Sequence, residues 1–335
     1  MKKFVVVFLV VMMTLAMVVG CASPANNNNE PDEEPGEGEE VAGETYRVAY
    51  VARAQADSFA AWLANAVKEE ADKYDNIVVD IFDGQASDAT QNALIENAIT
   101  SKYDVIIIQP NNGEAQRPYA EKSVEAGIIT ITTNARIDGV QGASSVDADP
   151  YEQAKVNCVV ALEQVPENAN VVVLKGPPGN FHADARRDSW QKEFFDKRPD
   201  VTIVGEEIAN WNKDEAMNYM ETWVQANSKI DAIIAMNDNM AAGALEVVKD
   251  DPNYSGILSY GVDGTAEAVL LIEEGVMTST SLQSAYDLAT ALLDTCFKLL
   301  TGAETQIDID IDCPLINADN VDKYIEMHKK AGAIR

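Results

Sequence analysis

The sequence predicts an α/β protein with two doubly wound, parallel-sheet (Rossmann-like) lobes. Short β-branched runs alternate about nine times with amphipathic segments of helix length. The strand-like runs are almost wholly apolar, as in parallel sheets that helices cover on both faces. About 290 residues carry this pattern, which is more than one typical core holds, so two domains are expected.

The alternation fixes the predicted elements in chain order. The predicted strands are Val48–Val51, Ile77–Ile81, Val105–Ile108, Ile128–Thr132, Val171–Leu174, Val201–Val204, Ala232–Ala235, Ile257–Tyr260 and Thr278–Ser281. The predicted helices are Phe59–Tyr74, Gln91–Thr100, Ala115–Ala126, Tyr151–Val165, Arg186–Lys197, Asp214–Ala226, Met240–Val248, Ala266–Glu274 and Leu288–Leu300. The alternation of Asp and Ile from Gln306 to Asp312 fits a further strand with one wet face better than a calcium loop.

The N-terminus predicts export from the cytoplasm. Lys2 and Lys3 precede an apolar run, Phe4 to Val19, which ends in Gly20-Cys21. This order is typical of a secretion signal over residues 1–20. Gly20-Cys21 resembles the bacterial lipobox, so we expect Cys21 to be lipidated and to become the mature N-terminus. An ordinary signal peptide and an uncleaved anchor are the alternatives, and all three place the rest of the chain outside the cytoplasm.

Residues 21–45 form a predicted disordered, acidic tether. Asn, Asp, Glu, Gly and Pro dominate this stretch, and no basic residue occurs between Cys21 and Arg47. Such a segment has little to bury and stays extended. Loss of residues 1–20 removes two lysines, so the formal charge moves from −30 to −32. Nucleic acid is therefore excluded as a partner, and the membrane is reached only through the lipid.

No cofactor, metal or disulfide is predicted. The cysteines have no CxxC or Cys/His spacing, and we expect Cys158 and Cys296 to be small buried apolar residues, whereas Cys313 precedes Pro314. The glycine-rich Gly176-Pro177-Pro178-Gly179 is interpreted as a turn, since proline lacks the N–H donors of a phosphate cradle.

Polar and aromatic residues recur just after the predicted strands, which is the edge where parallel sheets bind ligands. Each alone fits a helix cap or a surface loop, but their recurrence at one edge indicates a binding site. The candidates read in this way are Arg53, Asp57, Phe59, Gln109, Asn134, Arg136, Arg186, Trp211, Asn237, Asp263 and Gln283. His182 is interpreted as an exposed loop residue, with a place in the cleft beside Arg186 as the alternative.

Several motifs carry a family resemblance. They are Asp57-Ser58-Phe59-Ala60-Ala61-Trp62, Val105-Ile106-Ile107-Ile108-Gln109-Pro110, Asp147 before a helix, Arg186-Arg187-Asp188-Ser189-Trp190, Ala235-Met236-Asn237-Asp238-Asn239-Met240-Ala241-Ala242-Gly243-Ala244, Tyr260-Gly261-Val262-Asp263-Gly264-Thr265 and the closing Leu315-Ile316-Asn317-Ala318-Asp319-Asn320-Val321. In this order they cover nearly the whole folded part, which resembles the ribose- and galactose-type periplasmic binding proteins, the type I solute-binding family.

The resemblance implies a role for each matched residue. Asn237 and Asp263 would form hydrogen bonds with sugar hydroxyls, and Arg186 would donate two hydrogen bonds to ring or hydroxyl oxygens. Phe59 and Trp211 would stack on the two faces of the sugar ring. Gln283 matches a glutamine at a hinge crossing. The chain departs from ribose binders at several positions, which leaves hexose, pentose and polyol ligands open. These departures are Arg53, Asp57, Ala60, Gln109 and Asn134.

The resemblance also implies two lobes that close around the ligand. The first would comprise residues 45–147 plus 284–312 and the second 148–283 plus 313–335, with crossings near Val146–Asp147, Leu282–Gln283 and Asp312–Pro314. The expected protein is a monomer that delivers a sugar or polyol to the membrane permease of an ABC importer and catalyses no reaction. A sensory receptor that presents the ligand to a chemoreceptor or kinase, and an enzyme on the same scaffold, are the alternatives.

Overall fold

A computed structural model describes residues 45–335, and the signal segment, Cys21 and the tether up to residue 44 lie outside the described residues. The strands are β1 Tyr46–Ala52, β2 Ile77–Asp83, β3 Val105–Ile108, β4 Ile129–Thr133, β5 Ser144–Ala148, β6 Asn170–Lys175, β7 Thr202–Ile208, β8 Ala232–Ala235, β9 Leu258–Asp263, β10 Ser279–Leu282, β11 Asp308–Ile311 and β12 Leu315–Asn317. The helices are α1 Ser58–Ala71, α2 Asp88–Thr100, α3 Gly113–Glu125, α4 Pro150–Gln164, α5 Phe181–Glu193, α6 Lys213–Ala226, α7 Asp238–Val248, α8 Ala266–Glu273, α9 Ala285–Leu300 and α10 Val321–Lys330.

The strands form two six-stranded sheets. The first has the order β11-β5-β4-β3-β1-β2, and all its pairings are parallel. The second has the order β12-β10-β9-β8-β6-β7 and is parallel except at its edge, where β12 runs antiparallel to β10. The predicted α/β fold class with two lobes is confirmed.

Helices cover both faces of the first sheet, which explains why the central strand β1 is apolar from Val48 to Ala52. In β1, Val48 and Tyr50 point into one core, which α1 and α9 share, whereas Ala49 and Val51 point into a second core under α2 and α3. Successive residues of a strand face opposite sides of the sheet, so each side requires an apolar residue here. A third core surrounds the second sheet.

The described chain passes between the sheets three times. After β5 it enters α4, which packs on α5 and β10; after β10 it enters α9, which packs on α1; and β11 and β12 belong to different sheets. Below, the first lobe denotes the first sheet with α1, α2, α3 and α9, and the second lobe the rest of the described chain. The predicted boundaries, 45–147 plus 284–312 and 148–283 plus 313–335, stay a prediction of which residues move together.

Three elements were not predicted: β5, β12 and α10. The strand β5 begins with Ser144-Ser145 in place of the apolar residues by which strands were predicted. The hydroxyls of these serines bond to the neighbouring edge of the sheet. Ser145 Oγ donates to Asp308 Oδ1 at 2.9 Å, and Ser144 Oγ accepts from the Ile307 N–H at 3.0 Å. The strand predicted within 306–312 is confirmed as β11.

The predicted start of α5 was wrong. Arg186 is not the first residue of the helix, which begins at Phe181 and ends at Glu193, followed by a short 3-10 turn at Phe195–Lys197. Asn180 caps this helix by accepting from the N–H groups of His182 and Ala183. The first turn of α5 has no apolar periodicity, so only the capping residue Asn180 could have indicated from the sequence where the helix begins.

Candidate functional site

A cavity of about 300 Å³ lies between the two lobes, at the carboxyl ends of the parallel strands of both sheets. The first lobe contributes Arg53, Asp57, Phe59 and Asn134. The second contributes Asn180, His182, Arg186, Trp211, Asn237, Asp263 and Gln283.

Three of the lining residues are also helix caps. Asp57, Asn180 and Asn237 each use one side-chain oxygen to accept N–H groups in the first turn of α1, α5 and α7. A cap needs only that oxygen, so the second polar atom of each side chain remains for other partners. Capping fixes these side chains at the cavity wall. A polar residue after a strand can therefore be both a helix cap and part of the cavity lining.

Three other lining residues have backbones in the region that favours glycine. The φ angles are 42° for Asn134, 62° for Trp211 and 128° for Asp263. Asparagine tolerates this conformation, but for a bulky residue it costs energy that the surrounding fold must offset. Such strained residues cluster at functional sites, which supports a functional role for this cavity.

Two aromatic rings line the cavity from opposite lobes. Phe59 lies in the first turn of α1, and Trp211 follows β7; both are almost fully buried. Gly176 makes room for the indole, because a Cβ at residue 176 would clash with the Trp211 ring. The segment predicted as a turn, Gly176-Pro177-Pro178-Gly179, thus also leaves space for the Trp211 ring.

Arg186 is the most extensively bonded side chain of the cavity. Its Nε and Nη2 donate to Gln153 Oε1 at 2.9 and 2.7 Å, and its Nη1 donates to the Met236 carbonyl at 2.7 Å. Nη2 also lies 3.2 Å from Gln283 Oε1. The planar guanidinium is therefore held rigidly, with one Nη1 hydrogen left over for a further acceptor.

The Asp263 carboxylate has no hydrogen-bond donor among the described residues, although it is 3% exposed. Its nearest cation is Arg186, at 3.8 Å from Nη2 to Oδ1. Burial raises the pKa of Asp263 well above its ordinary value; Arg186 opposes this rise, and Asp238 and Asp57 add to it. Because these oxygens face the cavity and have no donor in the described part of the chain, they are open to hydroxyl donors of a guest.

Amide groups beside Asp263 are open in the same way. Asn237 Oδ1 is occupied by the Met240 N–H, and Gln283 Oε1 accepts from Gln153 and Arg186. Neither Asn237 Nδ2 nor Gln283 Nε2 donates to another described residue. The second lobe therefore presents two amide donors and one carboxylate acceptor, the combination that hydroxyl groups can satisfy.

On the first lobe, Arg53 and Asp57 form a buried ion pair. Arg53 Nη2 lies 2.8 Å from Asp57 Oδ2, and the two side chains are 7% and 9% exposed. The pair joins the end of β1 to the cap of α1. With Arg186 and Asp263 it gives the cavity two cationic and two acidic side chains, whose formal charges cancel. The lining therefore suits an uncharged guest.

His182 joins the lobes at the cavity wall. Its Nε2 lies 2.9 Å from Asp147 Oδ1 at the end of β5, and its Nδ1 lies 3.2 Å from Arg186 Nη2. Burial lowers the pKa of His182, which Asp147 opposes and Arg186 reinforces. Since arginine only donates, Nδ1 is the acceptor and Nε2 carries the single proton. The imidazole is neutral and donates to Asp147.

Contacts between the lobes surround the cavity. The Gly113 N–H donates to the Gly179 carbonyl at 3.2 Å, and Asn180 Nδ2 donates to the Asn111 carbonyl at 3.4 Å. With the His182–Asp147 contact, these bonds shut the gap between the two sheets. The structure is therefore a closed arrangement of the lobes.

Most sequence-predicted site residues lie together in this cavity, but Gln109, Arg136 and Asp147 do not line it. Gln109 is fully buried behind it, where Oε1 accepts the Arg53 N–H at 3.1 Å and Nε2 donates to Asn134 Oδ1 at 2.7 Å. Arg136 turns away to Asp310, at 2.8 Å. These residues follow strands, as the rule requires, yet their side chains point past the cavity or behind it.

The expectation that His182 is an exposed loop residue was wrong, because it lies in the first turn of α5 and is 3% exposed. Asn180 is the lining residue that the sequence analysis missed. It follows the turn after β6, so the strand-end rule would have found it.

Among the described residues, Cys158 and Cys296 are buried as expected. In residues 45–335 no group of three or more His, Cys, Asp or Glu side chains is placed to hold a metal ion. No helix in the described part combines the length and apolarity that a bilayer crossing requires.

Comparisons with known proteins agree with this architecture. Residues 48–304 match the sequence profile of the periplasmic binding protein domain. The chain is 28% identical over 239 residues to a xylitol-binding protein of Mycolicibacterium smegmatis, covering 71% of this chain and 68% of that protein. It is 23% identical over 255 residues to a ribose import binding protein of Escherichia coli, covering 76% and 84%.

A solved structure shows the same fold. It is the crystal structure of an ABC transporter solute-binding protein from Bacillus halodurans with bound myo-inositol, which has a TM-score of 0.77 and 24% identity, with 85% of this chain and 98% of the other covered. Since the family profile spans well over half of the sequence, the chain belongs to the periplasmic binding proteins, as a non-enzymatic type I sugar-binding protein of the ribose- and galactose-binding type.

Proposed function

We propose that this protein binds one uncharged monosaccharide or polyol between its lobes and delivers it, outside the cytoplasm, to the permease of an ABC importer. The observation that carries the proposal is the Asp263 carboxylate, which has no donor among the described residues and lines the cavity together with the rings of Phe59 and Trp211. A sugar ring has apolar C–H faces for the aromatic walls and hydroxyls for the carboxylate and amides.

Closure follows from how the lining is divided between the lobes. A guest that touches Phe59 and Asn134 in one lobe and Asp263 and Trp211 in the other makes its full set of contacts only when the lobes meet. Such a guest shifts the population toward the closed form by its differential affinity for that form. The permease would then recognise the closed pair of lobes.

The relatives guide the choice of ligand. Proteins similar to this chain are described as binding xylitol, D-apiose and ribose. The test is a thermal-shift screen of neutral pentoses, hexoses, tetritols, pentitols and inositols. A guest at 100 times its dissociation constant stabilises the folded state by about 2.7 kcal/mol. We expect a clear rise in Tm with at least one of these compounds.

A matched pair of variants shows where the compound binds. Asp263→Ala should strongly reduce the rise, whereas Asp184→Ala, an exposed position on α5, should keep it in full. The proposal fails if no sugar or polyol stabilises the protein, or if both variants respond alike.

Delivery and anchoring extend this proposal. Gly20-Cys21 and the acidic stretch after it support a lipid-anchored protein on a tether. Import is distinguished from sensing by uptake of the radiolabelled compound into cells that lack this protein and into cells complemented with it. Equal uptake in both, with a lost response to the sugar, would favour the sensory receptor.

A further inference from the structure

Trp62 and His328 face each other across the boundary between the lobes. Trp62 lies on α1 of the first lobe, and His328 lies on α10 of the second. Their ring centroids are 5.1 Å apart, with 51° between the planes. Trp62 is also packed against the cores of both lobes. The pair stands outside the cavity, so its role is separate from direct contact with a guest.

Each ring has a buried nitrogen without a hydrogen-bond partner. These are Trp62 Nε1 and His328 Nδ1. His328 Nε2 lies 2.8 Å from the Gly264 carbonyl, which only accepts, so Nε2 carries a proton. Burial lowers the pKa of His328, which favours the neutral ring. Nδ1 is then an acceptor, and the indole N–H is a donor, so the two orphaned groups are complementary.

Both rings are linked to the cavity. Phe59, an aromatic wall, meets Trp62 edge to face at 5.7 Å between centroids. His328 holds the carbonyl of Gly264, the residue after Asp263, in a turn where both backbones have positive φ. A guest that pulls on Phe59 and Asp263 therefore acts on the two ends of the Trp62–His328 contact.

We propose that Trp62 and His328 are positioning residues that latch the closed form by a hydrogen bond from indole Nε1–H to imidazole Nδ1. The inference rests on the proposed function, closure around a sugar, and deepens it by naming contacts outside the cavity that set affinity.

The direct test uses a protein that is locked closed without any sugar. Asn112 Cγ marks the approximate place of a cysteine sulfur and lies 3.0 Å from the position of a Cβ at residue 179, so cysteines at these two positions are within reach of a disulfide. Asn112→Cys with Gly179→Cys, in a Cys313→Ser background, should therefore cross-link the lobes on oxidation. The indole ¹H–¹⁵N resonance of Trp62, identified by its loss in Trp62→Phe, is then recorded in the oxidised and reduced protein.

In the oxidised protein we expect the Trp62 indole proton to move downfield and to resist solvent exchange. His328→Gln keeps a donor for Gly264 but has no acceptor at the Nδ1 position, so it should abolish both effects. Tyr286→Phe, which alters another neighbour of Trp62 at 5.4 Å, should leave them intact. The same resonance in the locked protein with and without His328→Gln would overturn the latch.

A second measurement covers the case in which the cysteine pair disturbs folding. Affinities for xylitol and D-ribose are measured by calorimetry in Trp62→Phe, His328→Gln and the double variant. Each single change should weaken binding about 5- to 10-fold, as for one lost hydrogen bond, and the double change no further. Additive losses would overturn the proposal. If neither compound binds, xylitol and D-ribose are excluded as the ligand of the proposed function, and the locked protein decides the latch.

Discussion

Nε2 of His182 lies 2.9 Å from Oδ1 of Asp147, and this contact joins α5 of one lobe to β5 of the other. Asp147 Oδ1 also accepts the Ala148 N–H, and Oδ2 accepts the Arg136 N–H. Burial raises the pKa of Asp147, but its bonds with His182, Ala148 and Arg136 outweigh burial and leave it lowered. Closure therefore pairs a neutral imidazole with an ionised carboxylate.

Sugar affinity should accordingly fall in mild acid. Burial, with Arg186 and Arg136 nearby, lowers the pKa of His182 below its ordinary 6.5 in the closed form. An opened cleft would return the ring to that ordinary value, so the closed form binds fewer protons below pH 6.5. The affinity is then fully present above pH 6.5 and decreases below it, by at most about tenfold per pH unit for one proton. Calorimetry at pH 5.0 and 7.5 measures this.

His182→Gln is the control, since its amide reproduces the Nε2 donor to Asp147 and does not titrate. The variant should bind with a flatter pH profile between 5.0 and 7.5. An unchanged slope would assign the acid effect to a group other than His182.

Replacing Asp263 with Ala should weaken sugar binding by more than about 2 kcal/mol, or roughly 30-fold, because guest hydroxyls would be buried without their acceptor. Asp263→Asn retains one acceptor oxygen and should lose less. Isothermal titration at pH 7.5 compares the two variants with the parent. Undiminished affinity in Asp263→Ala would remove this residue from the site.

The sequence reveals the cavity because of one rule of α/β folds. Strand ends in both halves of the chain carry polar or aromatic residues, and the two parallel sheets bring these ends to a common gap. Arg53, Arg186 and Asn237, which are far apart in the sequence, meet for this reason.

Side-chain direction is what the rule does not supply. Gln109 and Asp147 follow strands but turn behind the lining, where they bond backbone groups and neighbouring side chains. Asn180 and His182 were misjudged because the first turn of α5 has no apolar periodicity, so its start could be read only from a cap. Similarly, β5 was missed because it has no apolar run; serine hydroxyls bond it to the neighbouring edge of the sheet instead.

Titration with the correct sugar should change the fluorescence of Trp211. The indole is 6% exposed, lies at the cavity wall and is 5.6 Å from the guanidinium of Arg186, so an incoming ring alters its surroundings. Trp211→Phe keeps an aromatic wall and should bind with modestly reduced affinity, but the spectral change should shrink. Trp223→Phe, on α6 away from the cavity, should keep the full change. Normal binding by Trp211→Ala would show that this wall is misplaced.

Cys21 should tie the protein to the membrane through lipid. The residue lies outside the described part of the structure, and the expectation comes from the apolar run that ends in Gly20-Cys21. Wild-type protein should incorporate labelled palmitate and partition into detergent, because acyl chains gain about 0.8 kcal/mol per buried CH₂. Cys21→Ser should take up no label. It should either be released in soluble form with unchanged sugar affinity or accumulate as an unprocessed precursor.

Two other outcomes for the wild-type protein would contradict lipidation. Protein that is cleaved, soluble and free of label would indicate an ordinary signal peptide. Protein that stays in the membrane, keeps residues 1–20 and carries no label would indicate an uncleaved anchor.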